Sequence, residues 1–296
     1  IFIIFFQTLI NKPTIIYSFT IKPNIYAILT SFFFKTKSVS TFSGLGNLYL
    51  RNKKIYKLIF YFISLFKSKN NYILFHNKED KFFFINNFYF YKNQLSVVNG
   101  SGVDLDKDLV VKSYNKLNVL AVMRPLKEKG IEDYIKLVNH LYEKSDFNIE
   151  KVNFILVTSI DKKNKYFEKI NDLLTEKKVF LVDGNENFDK YYQNCNIYLS
   201  LSKREGLSQS MIKSMHNSNI IISLNVAGCR NLIQNNINGF LIDDKDLEKK
   251  VISIFEYILN NKNRSDCEKI IKKSYMTIDK TFSKKYINNL YLKYAN

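Results

Sequence analysis

The chain has 296 residues with 46% hydrophobic side chains, enough for about two domains with folded cores. Its 45 basic and 27 acidic residues give a net charge of +18, but the basic residues are dispersed and no motif that reads RNA or DNA accompanies them. Nucleic-acid binding is therefore not expected. Three cysteines and three histidines build no zinc pattern, and we expect reduced thiols in a cytoplasmic protein.

The chain opens with six apolar residues, 1–6, which lack a basic flank and are followed at once by polar Gln7. This pattern is typical of neither a signal peptide nor a membrane span. Because the sequence does not begin with methionine, we expect it to start inside a longer reading frame.

Short β-branched or aromatic runs alternate with helical patterns along the whole chain. The predicted strands are residues 14–18, 38–41, 72–75, 95–98, 117–123, 152–158, 179–182, 197–200, 220–224 and 240–242. The predicted helices are residues 24–34, 54–66, 131–144, 163–174, 208–217, 247–260 and 284–294. This alternation predicts an α/β protein whose parallel sheets are covered by helices and bind ligands at the carboxyl ends of their strands.

A polar stretch near residues 104–115 indicates a boundary between two doubly wound, Rossmann-like domains. We expect one domain over 1–108, a second domain over 109–280, and a carboxy-terminal helical segment over 281–296 that returns to the junction. The first domain has only about four strands, so its opening strands are expected to be absent.

The nine glycines fall in seven clusters, nearly all where an apolar run ends and a loop or helix begins. Scarce glycines at such places mark positive φ angles or close approach to a ligand. Arg124 and Lys129 follow a predicted strand, and Glu205 and Gly206 follow another just before a helix. Two cations and a helix N-terminus at one sheet edge suit a diphosphate. The alternative is that Arg124, Lys129 and Glu205 form ordinary surface ion pairs.

Several segments resemble those of a GT-B glycosyltransferase of family 4, in the family's order. In the second domain they are residues 124–131 (RPLKEKGI), 205–215 (EGLSQSMIKSM), 228–230 (GCR) and 235–241 (NNINGFL). In the first domain they are residues 20–26 (TIKPNIY), 43–46 (SGLG), 75–80 (FHNKED) and 100–104 (GSGVD). The first-domain set resembles the branch that extends polyprenyl-diphosphate-linked oligosaccharides, of the diacetylbacillosaminyl-diphospho-undecaprenol N-acetylgalactosaminyltransferase type.

The resemblance implies a retaining transfer without a cofactor or a metal. Arg124 and Lys129 would hold the donor diphosphate and Glu205 would contact the transferred sugar, which makes these three the expected catalytic residues. The remaining donor-side residues it implies are Gly206, Leu207, Ser208, Lys213 and Gly184. On the acceptor side it implies Lys22, Gly44, Gly46 and His76.

Three departures from the family pattern stand out. Lys213 occupies the place of the motif's second glutamate, and an ammonium cannot accept the hydrogen bonds of a ribose diol. A histidine common near residues 19–20 is absent, and so is the family's glycine-rich first loop. These departures favour a truncated or catalytically impaired relative as the alternative to an active enzyme.

The function that the resemblance implies is transfer of a hexose or N-acetylhexosamine from a UDP-sugar to a polyprenyl-diphosphate-linked glycan, with 1–108 as the acceptor-side domain and 109–280 as the nucleotide-sugar-binding domain. We expect a cytoplasmic protein held peripherally at the inner face of the cytoplasmic membrane. A sugar epimerase is a weaker alternative, because the acidic and histidine residues it would need are lacking. Residues 55–66 are expected to form a core helix, with peripheral membrane contact as the alternative.

Two other patterns are expected to carry no chemistry. The run Asp104, Asp106, Asp108 lacks the glycine and glutamate of a calcium loop and is interpreted as a solvated linker. His216 is interpreted as a surface residue or a helix C-terminal residue rather than a catalyst, and His140 as part of an amphipathic helix.

Overall fold

The fold was analysed in a computed structural model, which describes residues 2–106, 108–110 and 112–295, the side chains of 2–4, 47 and 295 excepted. Contacts divide the chain into two compact units. Unit 1 contains Ile1–Gly102, Glu205–Leu207 and Thr281–Asn296, and unit 2 contains Val103–Arg204 and Ser208–Lys280. Lys107 and Val111 of the predicted boundary segment lie outside the described residues.

Unit 1 is built on a four-stranded parallel sheet in the order β1-β2-β3-β4. Its strands are β1 (Ile15–Phe19), β2 (Lys37–Phe42), β3 (Asn71–Phe75) and β4 (Leu95–Val97). Its helices are α1 (Phe2–Asn11), α2 (Ile21–Phe34), α3 (Gly46–Arg51), α4 (Lys53–Ser64), α5 (Lys78–Asn87) and α13 (Lys284–Ala295).

Aromatic side chains fill the core on one face of this sheet. Phe42 packs against Phe75 and Phe84 with ring centroids 5.5 and 5.0 Å apart, and Phe60 of α4 lies 5.2 Å from Phe84. These rings are fully buried, which explains why such a short domain can hold a sheet together. On another face, Ile287 of α13 joins a second buried cluster with Val39, Leu74 and Val98.

Unit 2 is built on a six-stranded parallel sheet in the order β10-β9-β8-β5-β6-β7. Its strands are β5 (Leu117–Val122), β6 (Val152–Thr158), β7 (Phe180–Asp183), β8 (Ile197–Ser200), β9 (Ile220–Leu224) and β10 (Phe240–Ile242). Its helices are α6 (Ile131–Glu143), α7 (Phe167–Thr175), α8 (Asp189–Asn194), α9 (Gln209–His216), α10 (Ala227–Arg230), α11 (Leu247–Leu259) and α12 (Arg264–Thr277).

The order of the strands in unit 2 determines where a ligand is expected. The chain passes from β5 outward through β6 to β7, then crosses back to β8 and continues outward through β9 to β10. The direction therefore reverses between β5 and β8, which are hydrogen-bonded neighbours. In open parallel sheets, the crevice beyond the carboxyl ends of the two strands at this reversal is the usual binding site.

Every predicted strand is present, and each of its ends differs from the prediction by at most one residue. The prediction of an α/β protein with two parallel sheets is confirmed. Helices α1, α3, α5, α8, α10 and α12 were not predicted. Among the described residues, no helix is both long and apolar enough to cross a membrane.

Candidate functional site

The turn after β5 carries the two predicted phosphate ligands. Arg124 follows the strand and is exposed, and Lys129 is half-buried at the end of a single helical turn. Gly130 then begins α6 with φ +82°, and a Cβ atom there would lie 2.1 Å from the carbonyl oxygen of Leu201. Only glycine permits both this backbone conformation and this close approach to the loop after β8.

Hydrogen bonds hold the loop after β8 against the same turn. The backbone N–H of Lys203 donates to the carbonyl oxygen of Glu128 at 3.0 Å. The Ser202 hydroxyl donates to the carbonyl oxygens of Glu128 at 3.3 Å and of Arg204 at 3.0 Å. Glu128, the residue before Lys129, is therefore hydrogen-bonded to the segment that leads into α9, across the reversal point of the sheet.

Helix α9 begins where this loop ends. Ser208 has extended backbone at the N-cap position, and its hydroxyl accepts a hydrogen bond from the N–H of Met211 at 3.2 Å. A side-chain cap of this kind satisfies one of the unpaired N–H groups of the first turn and fixes the direction of the helix. The positive end of the α9 dipole therefore lies at the carboxyl edge of the sheet, where an anion is favoured.

Lys213 is held by neighbours from α8. Its ammonium nitrogen lies 2.8 Å from Oδ1 of Asp189 and 5.7 Å from the centroid of the Tyr192 ring. Gly184, the other predicted donor-side residue, follows β7 and is exposed. A Cβ atom at this position would lie 3.3 Å from the carbonyl carbon of Thr158. A cation paired with an acid thus stands at the position where the family resemblance implies a glutamate.

In unit 1, the predicted acceptor-side residues all follow the carboxyl ends of strands. Lys22 lies in the first turn of α2 after β1, Gly44 and Gly46 follow β2, and His76 follows β3. Gly44 and Gly46 have φ values of +125° and +68°. The sheet therefore brings these four residues to one edge.

Glu205, Gly206 and Leu207 are grouped by their contacts with unit 1. A Cβ atom on Gly206 would lie 2.0 Å from the carbonyl oxygen of Ser43, so this position also requires glycine. The Asn77 amide donates to the carbonyl oxygen of Gly206 and to Asp80 Oδ2, both at 2.9 Å. Asn77 was missed from the sequence, although an asparagine just ahead of Glu79 and Asp80 is a typical N-cap, which it is for α5.

Burial also changes the chemistry of His76. Removal from water lowers the pKa of this imidazole from 6.5 to about 4, so it is neutral near pH 7. Its backbone N–H donates to the carbonyl oxygen of Phe42, which ties the end of β3 to the end of β2. A neutral imidazole can donate one hydrogen bond and accept another, but it brings no positive charge to this edge of the sheet.

His76 is expected to make folding sensitive to mild acid. Because its folded pKa lies below that of the unfolded chain, the stabilisation is complete above pH 6.5 and is lost as the pH falls towards 4. Relative to a His76→Gln variant, the wild-type free energy of unfolding should fall by about 1.4 kcal/mol per pH unit in that window. Urea unfolding across this range measures it, with exposed His140→Gln as the matched control. Parallel pH curves for wild type and His76→Gln would contradict the assignment.

His216 is the last residue of α9, as one of the two sequence interpretations had it, but it does not lie at the surface. Its side chain is only 5% exposed and its ring stacks on Tyr275 of α12 at 5.5 Å between centroids. Helix α12, which covers it, was not predicted. The three cysteines are buried as free thiols, and the described residues contain no cluster of side chains able to hold a metal ion.

Comparison with known families agrees with this geometry. Residues 106–275 match the profile of the family described as Glycosyl transferases group 1, which covers more than half of the chain. The chain belongs to this family. The matched segment contains the whole six-stranded sheet and both loops at its reversal point.

Curated relatives include members named for glycan synthesis. The chain is 24% identical over 264 residues to the N,N'-diacetylbacillosaminyl-diphospho-undecaprenol alpha-1,3-N-acetylgalactosaminyltransferase of Campylobacter jejuni, covering 79% of this chain and 66% of the relative. It is 24% identical over 165 residues to the capsular polysaccharide biosynthesis glycosyltransferase CapM of Staphylococcus aureus, covering 54% of this chain and 42% of the relative. The chain thus spans 66% or less of the length of these two proteins.

Solved structures share the fold at low sequence identity. Anabaena HepE in complex with UDP-glucose superposes with a TM-score of 0.77 at 14% identity, over 98% of this chain and 80% of HepE. TarM superposes with a TM-score of 0.67 at 17% identity, over 88% of this chain and 50% of TarM. The fold of this family member is therefore GT-B, as the sequence resemblance implied.

Proposed function

We propose that this protein is a retaining glycosyltransferase that moves a hexose or N-acetylhexosamine from a UDP-sugar to a polyprenyl-diphosphate-linked glycan. The observation that carries the proposal is the reversal point between β5 and β8. There, the turn bearing Arg124 and Lys129 is hydrogen-bonded to the loop that leads into α9. A nucleoside diphosphate is the ligand class that such a constellation suits.

In the proposed reaction, the bond between the anomeric carbon and the diphosphate oxygen breaks, and UDP leaves with the bonding electrons. An acceptor hydroxyl oxygen bonds to the same carbon, and its proton passes to the departing diphosphate oxygen. Arg124 and Lys129 would stabilise the charge that develops on the leaving diphosphate, together with the α9 dipole. Glu205 would accept hydrogen bonds from the hydroxyls of the transferred sugar. This assignment uses protein cations where other transferases use a metal, so no divalent ion or cofactor is proposed.

Support for the donor and acceptor comes from the relatives. HepE was solved with UDP-glucose, and the Campylobacter relative carries a diphospho-undecaprenol acceptor in its name. The acceptor side is proposed at Lys22, Gly44, Gly46 and His76. Because a polyprenyl chain lies in a bilayer, we place the protein at the cytoplasmic face of the membrane.

A transfer assay tests the proposal. Purified protein is incubated with radiolabelled UDP-sugars and a lipid extract containing polyprenyl-diphosphate glycans, with and without EDTA. Label in the lipid fraction that depends on the protein and survives EDTA is expected. Saturable binding of UDP without any transfer would favour the second candidate, a relative that binds nucleotide but does not catalyse transfer. The observation behind this candidate is Lys213, which stands where the family motif has its second glutamate.

Lys213 offers a separate test of donor recognition. Changing Lys213 to Glu would supply an acceptor for ribose hydroxyls, and Asp189→Asn in the same variant would remove the acid 2.8 Å from that site. The double variant is expected to bind UDP about tenfold more tightly, because a charge-assisted hydrogen bond is worth roughly 1.5–3 kcal/mol. Titration calorimetry measures this, with exposed Lys190→Glu on α8 as the control. An affinity equal to wild type would remove Lys213 from the donor site.

A further inference from the structure

The positive charge of this protein is distributed unevenly. The first 78 residues contain eleven lysines and arginines but no aspartate or glutamate, and the first acid is Glu79. Every described residue of this stretch belongs to unit 1. Unit 1 therefore contains a long segment in which all the charged side chains are basic, and no carboxylate of that segment offsets their charge.

Exposed apolar side chains are concentrated in the same unit. Of the twenty-five large apolar side chains that are exposed among the described residues, eighteen lie in unit 1, although unit 2 is the larger of the two. Exposed apolar groups scattered singly need no explanation, but a concentration of them marks an interaction surface.

Helix α4 shows the strongest concentration. Its buried face, formed by Tyr56, Phe60 and Ile63, packs into the aromatic core. Its opposite face carries Ile55, Leu58 and Phe62 at helical spacing, and Leu65 continues this line just after the helix; the four side chains are 47%, 69%, 60% and 51% exposed. A helix on the surface of a domain ordinarily presents polar residues on that outer face. We call these four residues the α4 stripe.

A cluster of phenylalanines extends the α4 stripe to the end of α2. The Phe62 ring lies 5.7 Å from Phe66, and Phe66 lies 5.4 Å from Phe32 and 6.0 Å from Phe33. Phe32 and Phe33 are 40% and 57% exposed. Aromatic side chains thus connect two helices into one continuous exposed surface, which we call the α2–α4 face.

Lysines border this surface. Lys54 is exposed in α4, Lys35 is exposed just after Phe34, and Lys69 is exposed three residues after Phe66. The amide of Asn70 donates to the carbonyl oxygen of Lys35 at 2.7 Å, which brings the two lysine-bearing loops together. Basic residues beside exposed phenylalanine and leucine are the composition of a helix that lies in the plane of an anionic membrane.

We infer that the α2–α4 face binds the surface of a bilayer containing anionic phospholipid. The inference deepens the proposed function, since a polyprenyl-linked acceptor is reached only from a membrane surface. The α4 stripe and the phenylalanines enter the interfacial region, while the bordering lysines contact lipid phosphates. A protein partner fits this surface less well, because lysine is depleted in protein interfaces, whereas anionic lipid complements a segment with no acid.

Vesicle flotation tests this inference with the full chain. The probes are vesicles of phosphatidylcholine alone and of phosphatidylcholine with equal phosphatidylglycerol. Wild type should float with the anionic vesicles, weakly with the neutral ones, and less as salt is raised. Leu58→Asp with Phe62→Asp should lower partitioning at least about tenfold. Lys35→Glu, Lys54→Glu and Lys69→Glu together should lower it at least about 100-fold, because removal of each basic residue alone costs about fivefold and each glutamate adds repulsion.

Matched controls come from unit 2. Met276→Asp changes an apolar side chain that is 65% exposed, and Lys245→Glu with Lys249→Glu and Lys272→Glu reverses three exposed lysines. The controls should partition much more like wild type than the face variants do. UDP titration and circular dichroism on the same variants should match wild type, which shows that the fold and the donor site are intact.

Three results would overturn the inference. The first is that wild type does not float with anionic vesicles at low salt, and the second is that the face variants float as well as the controls. The third is that Leu58→Asp abolishes a concentration-dependent dimer in sedimentation while no form binds vesicles, which would assign the face to a second copy. Vesicle binding without UDP binding would leave this inference standing and defeat the proposed function instead.

Discussion

Replacing Arg124 and Lys129 together by alanine is expected to weaken UDP binding by about 100-fold or more. Each replacement removes one charge-assisted hydrogen bond between the protein and the diphosphate, worth roughly 1.5–3 kcal/mol. Because Arg124 is exposed and Lys129 half-buried, the free energy of unfolding should change little. Titration calorimetry with UDP and urea unfolding measure the two effects separately.

The same turn provides the control for this variant. Lys127 lies two residues before Lys129, and its ammonium is 3.8 Å from Glu132 with its side chain 69% exposed. Lys127→Ala removes the same type of charge from the same turn and should leave UDP affinity within about twofold, since a surface pair is worth roughly 0–1 kcal/mol. Equal losses from Lys127→Ala and the double variant would mean that general positive charge, not these two side chains, binds the nucleotide.

Changing Gly130 to valine is expected to destabilise the fold by about 3 kcal/mol and to abolish UDP binding. Valine at φ +82° is strained, and its Cβ would overlap the Leu201 carbonyl oxygen. The β8 loop would have to move away from the turn after β5, which separates the parts of the proposed diphosphate site. Urea unfolding gives the stability change, and titration at a temperature where the variant is folded gives the affinity.

Gly184→Ala is the matched control for this substitution. Gly184 also lies at the carboxyl edge of the unit 2 sheet, but its nearest contact for a Cβ atom is the Thr158 carbonyl carbon at 3.3 Å. A loss of roughly 1 kcal/mol or less is expected there, because the neighbour has to yield only slightly. If Gly130→Val is no more destabilising than Gly184→Ala, the close approach of the two loops is not required for folding.

The strands were predictable from the sequence because each is a short apolar run bounded by polar loops. Runs such as Ile220–Leu224 are fully buried, and burial on both faces produces this pattern directly. The order of the strands is a property of the tertiary fold, so the sequence predicted their parallel arrangement through the βα alternation alone.

Helix α5 was missed because its sequence lacks a helical period. The first turn of α5 is charged and is followed by three consecutive phenylalanines, Phe82–Phe84. No single apolar face can therefore be recognised in its sequence. Its start was nevertheless marked by Asn77, whose side chain accepts from the N–H of Asp80. A helix cap depends only on neighbouring residues, so it can mark the start of a helix whose sequence has no periodic pattern.

The candidate site was predictable in part for a similar reason. Arg124 and Lys129 directly follow a strand, so their place at the carboxyl edge follows from local pattern. The contact of Gly206 with Asn77 joins residues 129 positions apart, and no local pattern contains it. The pairing of Lys213 with Asp189 likewise depends on the packing of α8 beside α9, and α8 was not predicted.

We propose that UDP binds at the reversal point between β5 and β8. A crystal structure of the protein with UDP, after a titration that establishes saturable binding, is the decisive measurement. We expect diphosphate oxygens within hydrogen-bond distance of the Arg124 guanidinium, the Lys129 ammonium and the first-turn N–H groups of α9. A diphosphate bound elsewhere, or no saturable binding of UDP at millimolar concentration, would contradict it.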